Sequence, residues 1–260
     1  MNIVVCIKQV PDTTVVKIDP VKHTLIREGV PSIMNPDDKG GLELALQLKE
    51  QCGANVTVIT MGPPQADAIL REAFAMGADR AILLTDRAFA GADTLATSRA
   101  LAGALKVLDY DLVITGRQAI DGDTAQVGPE MAEHLGLPQV SYVIGLEKKG
   151  ENKYVVKKET EEGYELLEVE GPALLTVLAT AYKARYMTVG GIIDAYNKEV
   201  EIWPASKIKV EPAQLGLNGS PTKVKKAYPK DTKAAGQVYE VDTEQAVDVI
   251  INKMKEKFII

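Results

Sequence analysis

Over the first 140 residues, short β-branched apolar runs alternate with longer stretches whose apolar residues recur every three or four positions. The runs fall at residues 3–7, 55–60, 81–85, 112–115 and 139–144. Each is apolar almost throughout instead of on alternate positions, as in strands covered on both faces. Between them, Leu42, Ala45 and Leu46 follow i, i+3, i+4 spacing after a Pro36-Asp37-Asp38 start. Leu101, Leu105 and Leu108 mark a second helical stripe, and Met131 and Leu135 a third. The alternation predicts an α/β fold on an open, mostly parallel sheet.

After Leu146 the pattern changes. Residues 153–159 and 164–169 are charged and alternating, around an acidic Glu161-Glu162-Gly163 turn, and residues 173–178 are apolar again. This predicts a solvent-facing hairpin leading into a buried strand. Residues 180–196 combine a basic, aromatic loop with a short helix. Residues 205–235 hold seven lysines against Glu211 and Asp231, with few large apolar groups. Such a stretch cannot build its own core and either folds back on its domain or lies across a partner. It leads to a helix with Asp242 as N-cap and Gln245 at the capping-box position, and Val247, Ile250, Ile251, Met254 and Phe258 on one face. The expected division is an α/β nucleotide-binding domain over 1–196 and a C-terminal arm and helix over 197–260.

At 260 residues and 46% hydrophobic, the chain can bury one sizeable core and carry an appendage. A net charge of −6 argues against nucleic acid as a partner. No run is long enough to span a bilayer, and the first ten residues lack the pattern of a secretion signal. Cys6 sits in a strand run and Cys52 at a helix end, which predicts packing residues in a reducing, cytoplasmic compartment. His23 and His134 lie far apart, so neither a metal site nor a Ser-His-Asp triad is expected.

In open α/β sheets, ligands bind beyond the carboxyl ends of the strands, which singles out the loops at 8–12, 61–65, 86–94 and 116–128. In the last of these, a helix expected to begin near Asp123 or Thr124 would offer free N–H groups to a diphosphate. Thr124 and Ala125 add little bulk there. Asp121 and Asp123 are expected as an N-cap and as ribose or amide ligands. An ordinary capped helix would use the same residue types. In the 86–94 loop, Phe89 could flank a planar ring, and Asp93 is equally at home as an N-cap. Met61-Gly62-Pro63-Pro64 could wall an adenine pocket or turn the chain. Neither GxGxxG nor GxxxxGK[ST] occurs, which excludes a standard dinucleotide dehydrogenase and a P-loop enzyme.

Together these segments resemble the β subunit of electron-transfer flavoproteins. The resemblance rests on Val5-Cys6-Ile7-Lys8-Gln9-Val10-Pro11-Asp12, Asn35-Pro36, and Ala75-Met76-Gly77-Ala78-Asp79-Arg80. It continues through Val156-Lys157-Lys158, Glu161-Glu162-Gly163, Glu165, Leu167 and Pro172-Ala173-Leu174-Leu175-Thr176. It implies a Rossmann-like sheet of the adenine-nucleotide-hydrolase kind and a heterodimer whose α subunit carries FAD. In ordinary members the β subunit holds AMP; in the electron-bifurcating branch it holds a second FAD. The run from Asp121 to Pro129 is similar to the bifurcating form, because ordinary members carry bulkier polar residues at 125–127. Residues 86–97 resemble that branch too.

The resemblance further implies that NADH delivers hydride to the β-bound FAD. One electron would pass through the α-subunit FAD to an acyl-CoA dehydrogenase such as butyryl-CoA dehydrogenase. The other would go to ferredoxin or flavodoxin. Cys6, Asn35, Asp38, Thr60, Met61 and Gly62 would line the adenosine end. Asp93, Thr94 and Thr97 would lie toward the flavin, and Asp123, Thr124, Ala125, Gln126, Val127 and Gly128 would hold the diphosphate. No residue of this chain is expected to act as a general base or nucleophile. Ala184-Arg185-Tyr186-Met187-Thr188-Val189 resembles the family's loop for docking dehydrogenases, with Val189 where a leucine is usual and Gly190-Gly191 after it. Two other readings are an AMP-holding, non-bifurcating β subunit and a stand-alone adenine-nucleotide sensor resembling universal stress proteins. The C-terminal arm has little use in a sensor.

Overall fold

The computed structural model describes residues 1–12, 31–225 and 236–260; His23 and residues 226–235 of the lysine-rich stretch lie outside the described residues. In chain order the strands and helices are β1 (Asn2–Cys6), β2 (Gln9–Pro11), β3 (Ser32–Met34), α1 (Pro36–Cys52), β4 (Asn55–Met61) and α2 (Asp67–Met76). Next come β5 (Arg80–Leu84), α3 (Thr94–Leu105), β6 (Leu112–Gly116), α4 (Val127–Leu135), β7 (Gln139–Gly150), β8 (Lys153–Thr160) and β9 (Gly163–Glu170). The last are β10 (Ala173–Val177), α5 (Val189–Asn197), β11 (Val200–Trp203) and α6 (Thr243–Glu256).

One nine-stranded sheet has the order β11-β5-β4-β1-β6-β10-β7-β8-β9. Every pairing from β11 to β7 is parallel, and β8 and β9 add an antiparallel hairpin at one end. The mostly parallel α/β sheet expected from the apolar runs is what forms. Alternate residues of β1 feed two separate cores: Ile3 and Val5, with Ile7 just beyond the strand, join Leu42, Leu46, Leu70 and Phe74. Val4 and Cys6 join Leu101, Leu105 and Met131. Helices α1 and α2 thus cover one face and α3 and α4 the other, which is why the strands show no polar alternation.

β7 begins beside β10 and runs on for twelve residues to pair with β8, with register shifts on the way. The change of pattern near Leu146 therefore marks passage from a covered to a half-solvated sheet, within one strand. Three elements have no counterpart in the sequence expectations: α2, the small β2–β3 pair and β11. β11 is a four-residue edge strand paired with β5. Glu201 on it takes both guanidinium arms of Arg80, at 2.5 and 3.0 Å.

The chain divides into two compact units, 1–226 and 227–260, so β11 belongs to the first unit although the expected boundary stood at residue 196. Much of the described part of the lysine-rich stretch also folds back on this unit. Ile208, Leu215 and Ser220 are buried, Lys209 N–H donates to Gly103 O, and Leu217 N–H donates to Ala90 O. In the second unit, α6 starts at Asp242, whose carboxylate accepts from Gln245 N–H at 2.9 Å, as its capping pattern predicts.

Candidate nucleotide-binding site

The chain leaves β1, adds β4 and β5 on one side, then returns through α3 to place β6 on the other side of β1. The β1/β6 exit is thus the point where strand order reverses, the place where such sheets open a crevice. The N-terminus of α1 closes its floor. Asp38, 7% exposed, accepts from Lys8 N–H at 2.8 Å and from Gly116 N–H at 3.0 Å, joining the ends of β1 and β6. Asp37 accepts from Ala179 N–H at 2.9 Å, just beyond β10, and sits 3.4 Å from Arg117 Nε. Both carboxylates lie in the first turn of α1, where the helix dipole favours them. Burial still pushes Asp38 up to about 7, against the pull of its two N–H donors. Burial, with Asp38 nearby, also pushes the Cys6 thiol up, so it stays protonated.

Asn35 does not cap α1 with its side chain. Its carboxamide instead donates to Gln118 O at 2.8 Å and accepts from Ile120 N–H at 3.1 Å, pinning the loop after β6 from both sides. Asn35 and Asp38 are therefore internal ties beneath the crevice.

The loop they support differs from expectation in one respect. The helix begins at Val127, not at Asp123 or Thr124. Asp123 and Ala125 have φ of +50° and +53°, a left-handed conformation that a right-handed helix cannot incorporate. Pro129, third in α4, sits in the first turn, where a missing N–H costs no helical bond. Neither aspartate caps α4. Asp121 pairs with Lys8 Nζ at 2.6 Å, and Asp123 accepts from Gln118 Nε2 at 2.8 Å. Asp121 thus faces a cation, and Asp123 is held by a neutral carboxamide. What the loop offers is a row of consecutive N–H groups, those of Thr124, Ala125, Gln126, Val127 and Gly128, with no acceptor among the described residues. Turns that alternate handedness gather N–H groups into an anion-accepting concavity. Gly128 lets α4 come close: a Cβ there would lie 2.8 Å from Thr115 Oγ1 and from Thr176 Cγ2.

α3 begins next to this row. Asp93 is its N-cap, accepting from Ala96 N–H at 3.0 Å, and its other oxygen accepts from Thr222 N–H. Thr94 Oγ1 lies 3.1 Å from Gln126 Oε1 and 3.3 Å from Glu130 Oε1. Thr97, one turn on, is half-buried. Phe89, expected to flank a planar ring, is 6% exposed and packs in the core cluster with Trp203 and Leu215. Across the crevice, Thr60 is buried at the end of β4, Met61 and Gly62 are half-buried, and Gly62 N–H donates to Leu84 O. Sequence reasoning missed Lys8, Gln118 and Glu130. Glu130 was legible, since it lies four residues after Gln126 on the same helical face.

The expected docking loop separates into two parts. Arg185 grips Glu43 with Nε at 2.9 Å and Nη2 at 3.0 Å, and Glu50 with Nη1 at 2.5 Å. Burial raises Glu43, yet the Arg185 hydrogen bonds hold it below the usual carboxylate range. Arg185 is thus an internal tie between this loop and α1. Tyr186 and Val189, in contrast, are 88% and 77% exposed, with Ile193 and Tyr196 exposed beside them on α5.

The sheet and its loops define a mostly parallel α/β protein with a row of free backbone donors at its strand switch point. Unpaired N–H groups gather there beside the small side chain of Ala125. The comparisons are consistent with this class. A family model described as electron transfer flavoprotein domain matches residues 22–208. The chain is 59% identical, over the full length of both, to the electron transfer flavoprotein subunit beta of Clostridium acetobutylicum. It is 52% identical to the caffeyl-CoA reductase-Etf complex subunit CarD of Acetobacterium woodii, again over the whole of both chains. It is 43% identical to the acryloyl-CoA reductase electron transfer subunit gamma of Anaerotignum propionicum, with the same coverage. The chain belongs to the electron transfer flavoprotein family, among its β subunits.

Proposed function

We propose that this chain holds a second FAD within a bifurcating electron transfer flavoprotein. NADH would reduce that flavin; one electron would leave for ferredoxin or flavodoxin, and one would pass through the α-subunit FAD to an acyl-CoA dehydrogenase. The observation that carries this reading is the run of unpaired N–H groups over five consecutive residues, Thr124 to Gly128. The small side chain of Ala125 adds little bulk beside it. The flavin, when bound, supplies the hydride and one-electron chemistry. The chain's own task is placement. Thr124 to Gly128 donate to the diphosphate, while Lys8 offsets the charge of Asp121 and Gln118 ties Asp123 in place. Cys6, Thr60, Met61 and Gly62 form the adenosine end, over the floor made by Asn35 and Asp38.

The α subunit would meet the C-terminal unit, where Val247 and Ile250 on α6 are exposed, as is Phe258, which lies past the helix end and not on its expected apolar face. The acyl-CoA dehydrogenase would meet Tyr186 and Val189, with Arg185 holding their loop in place. The two reductase-complex relatives support a partner acting on an acyl-CoA. No helix among the described residues is long and apolar enough to cross a membrane, consistent with work in the cytoplasm. The test is a nucleotide count on the purified heterodimer, with NADH oxidation measured with and without ferredoxin. Two FAD per heterodimer and ferredoxin-dependent turnover support the reading. One FAD with one AMP replaces it with the non-bifurcating form.

A further inference from the structure

Where α3 and α4 begin side by side, three polar side chains meet at the edge of the N–H row. Thr94 Oγ1 has two oxygens within hydrogen-bond distance, Gln126 Oε1 and Glu130 Oε1. A hydroxyl carries one proton and cannot donate to both, and a carboxylate can only accept. The carboxamide of Gln126 is the one partner that can be turned over, because its oxygen and nitrogen are interchangeable in shape. Every contact becomes a hydrogen bond in a single arrangement: Gln126 Nε2 donates to Thr94, and Thr94 donates to Glu130. The Gln126 oxygen then faces away from Thr94. Gln126 is exposed and immediately precedes Val127 and Gly128, whose N–H groups await acceptors. Glu130 Oε2 is shut off from solvent and has no partner among the described residues, a second acceptor that lacks a donor.

We propose that Thr94 and Glu130 are positioning residues that lock Gln126 as a hydrogen-bond acceptor, and that this acceptor selects the ligand. The site then has two chemical halves. The N–H row takes phosphate oxygens, and the Gln126 oxygen takes a hydroxyl from a polyol chain attached to the phosphates. A nucleotide that ends in a phosphate offers Gln126 only acceptors, so the lock favours a diphosphate bearing a hydroxylated chain. The inference rests on the placement of a nucleotide at residues 124–128 proposed above.

The experiment is calorimetric titration of FAD and of AMP into heterodimer stripped of its β-site nucleotide, with melting temperatures taken on each variant. Thr94→Val, which removes the hydroxyl and keeps the shape, should weaken FAD by about tenfold, the scale of one misdirected hydrogen bond. AMP affinity should change less than about twofold, a factor within the context scatter of a single neutral contact. Thr94→Ser should restore FAD binding, and Glu130→Gln, which can donate back to Thr94, should lower it as Thr94→Val does. Equal losses for FAD and AMP, or no loss for FAD, overturn the lock while leaving the flavin reading intact. Wild-type heterodimer that takes AMP and refuses FAD overturns both.

Discussion

The carboxylate of Asp38 accepts a hydrogen bond from the N–H of Gly116 at 3.0 Å, joining the start of α1 to the end of β6 across 78 residues of chain. With its second bond, to Lys8 N–H, this side chain spans the two strand ends that frame the crevice. Its burial and its raised pKa of about 7 give a pH signature. A folded pKa above the unfolded value means that the native state binds the proton more tightly. Stability from this group is therefore full below about pH 4 and lost as pH rises toward 7, at up to about 1.4 kcal/mol per pH unit. Asp38→Asn cannot ionise. Its stability relative to wild type should improve by on the order of 2–4 kcal/mol between pH 4 and pH 8. Urea unfolding at the two pH values measures the difference; a difference that stays flat removes Asp38 as the titrating group.

Ala125 lies in the middle of the N–H row with φ of +53°. Replacing it with glutamine adds polar bulk where the nucleotide is proposed to pass and leaves the core untouched. Ala125→Gln should drop the heterodimer from two flavins to one, with little change in melting temperature. Ala125→Gly should do the opposite of harm: a left-handed non-glycine residue costs about 1 kcal/mol, and glycine relieves it. Absorbance at 450 nm against protein concentration counts the flavins. Two flavins retained by Ala125→Gln would show that the diphosphate lies elsewhere.

At Gly128 the constraint is packing. An added Cβ would meet Thr115 Oγ1 and Thr176 Cγ2 at 2.8 Å, closer than ordinary contact. Gly128→Ala should push α4 from β6 and β10 at a cost of about 1–3 kcal/mol, typical of overpacking. Because α4 carries the last two N–H groups of the row, nucleotide affinity should fall as well. Thermal unfolding with and without added FAD separates the two effects.

The sheet was legible because β1, β4, β5, β6 and β10 are buried on both faces, so their apolar runs stand out from any neighbour. β11 was not, because an edge strand of four residues needs only Val200 and Trp203 to be buried, and its pairing with β5 and the Arg80–Glu201 contact leave no long apolar run in the sequence. α2 was overlooked because Ala73 and Ala75 do part of the packing that larger residues mark elsewhere. At the candidate site, residue types suggested a helix start, but its position depends on backbone handedness at Asp123 and Ala125, which side-chain pattern does not encode. The ties from Lys8 to Asp121 and from Asn35 to Gln118 and Ile120 join residues more than eighty positions apart. Only the closed fold brings them together.

Arg185 and Tyr186 are adjacent in sequence and separable in role. Arg185 neutralises Glu43, whose side chain is 6% exposed, so its removal leaves a nearly buried carboxylate without its partner. Arg185→Ala should cost about 2–4 kcal/mol of stability, somewhat below the ~3–5 kcal/mol for breaking a fully buried pair, because Arg185 is partly exposed. Tyr186 is almost fully exposed and contributes little to the fold. Tyr186→Ala should leave the melting temperature within a degree or two, since surface changes of this kind stay within about 0.5 kcal/mol. If its loop is the docking surface, the same substitution should weaken binding to the acyl-CoA dehydrogenase, because exposed aromatics are frequent anchors of interfaces. Binding is measured by titrating the dehydrogenase onto immobilised heterodimer, with unfolding recorded in parallel. Unchanged affinity in Tyr186→Ala and Val189→Ala together would move the docking surface off this loop. Reduced affinity in Arg185→Ala alone, in step with its lost stability, would assign the loop a purely structural part.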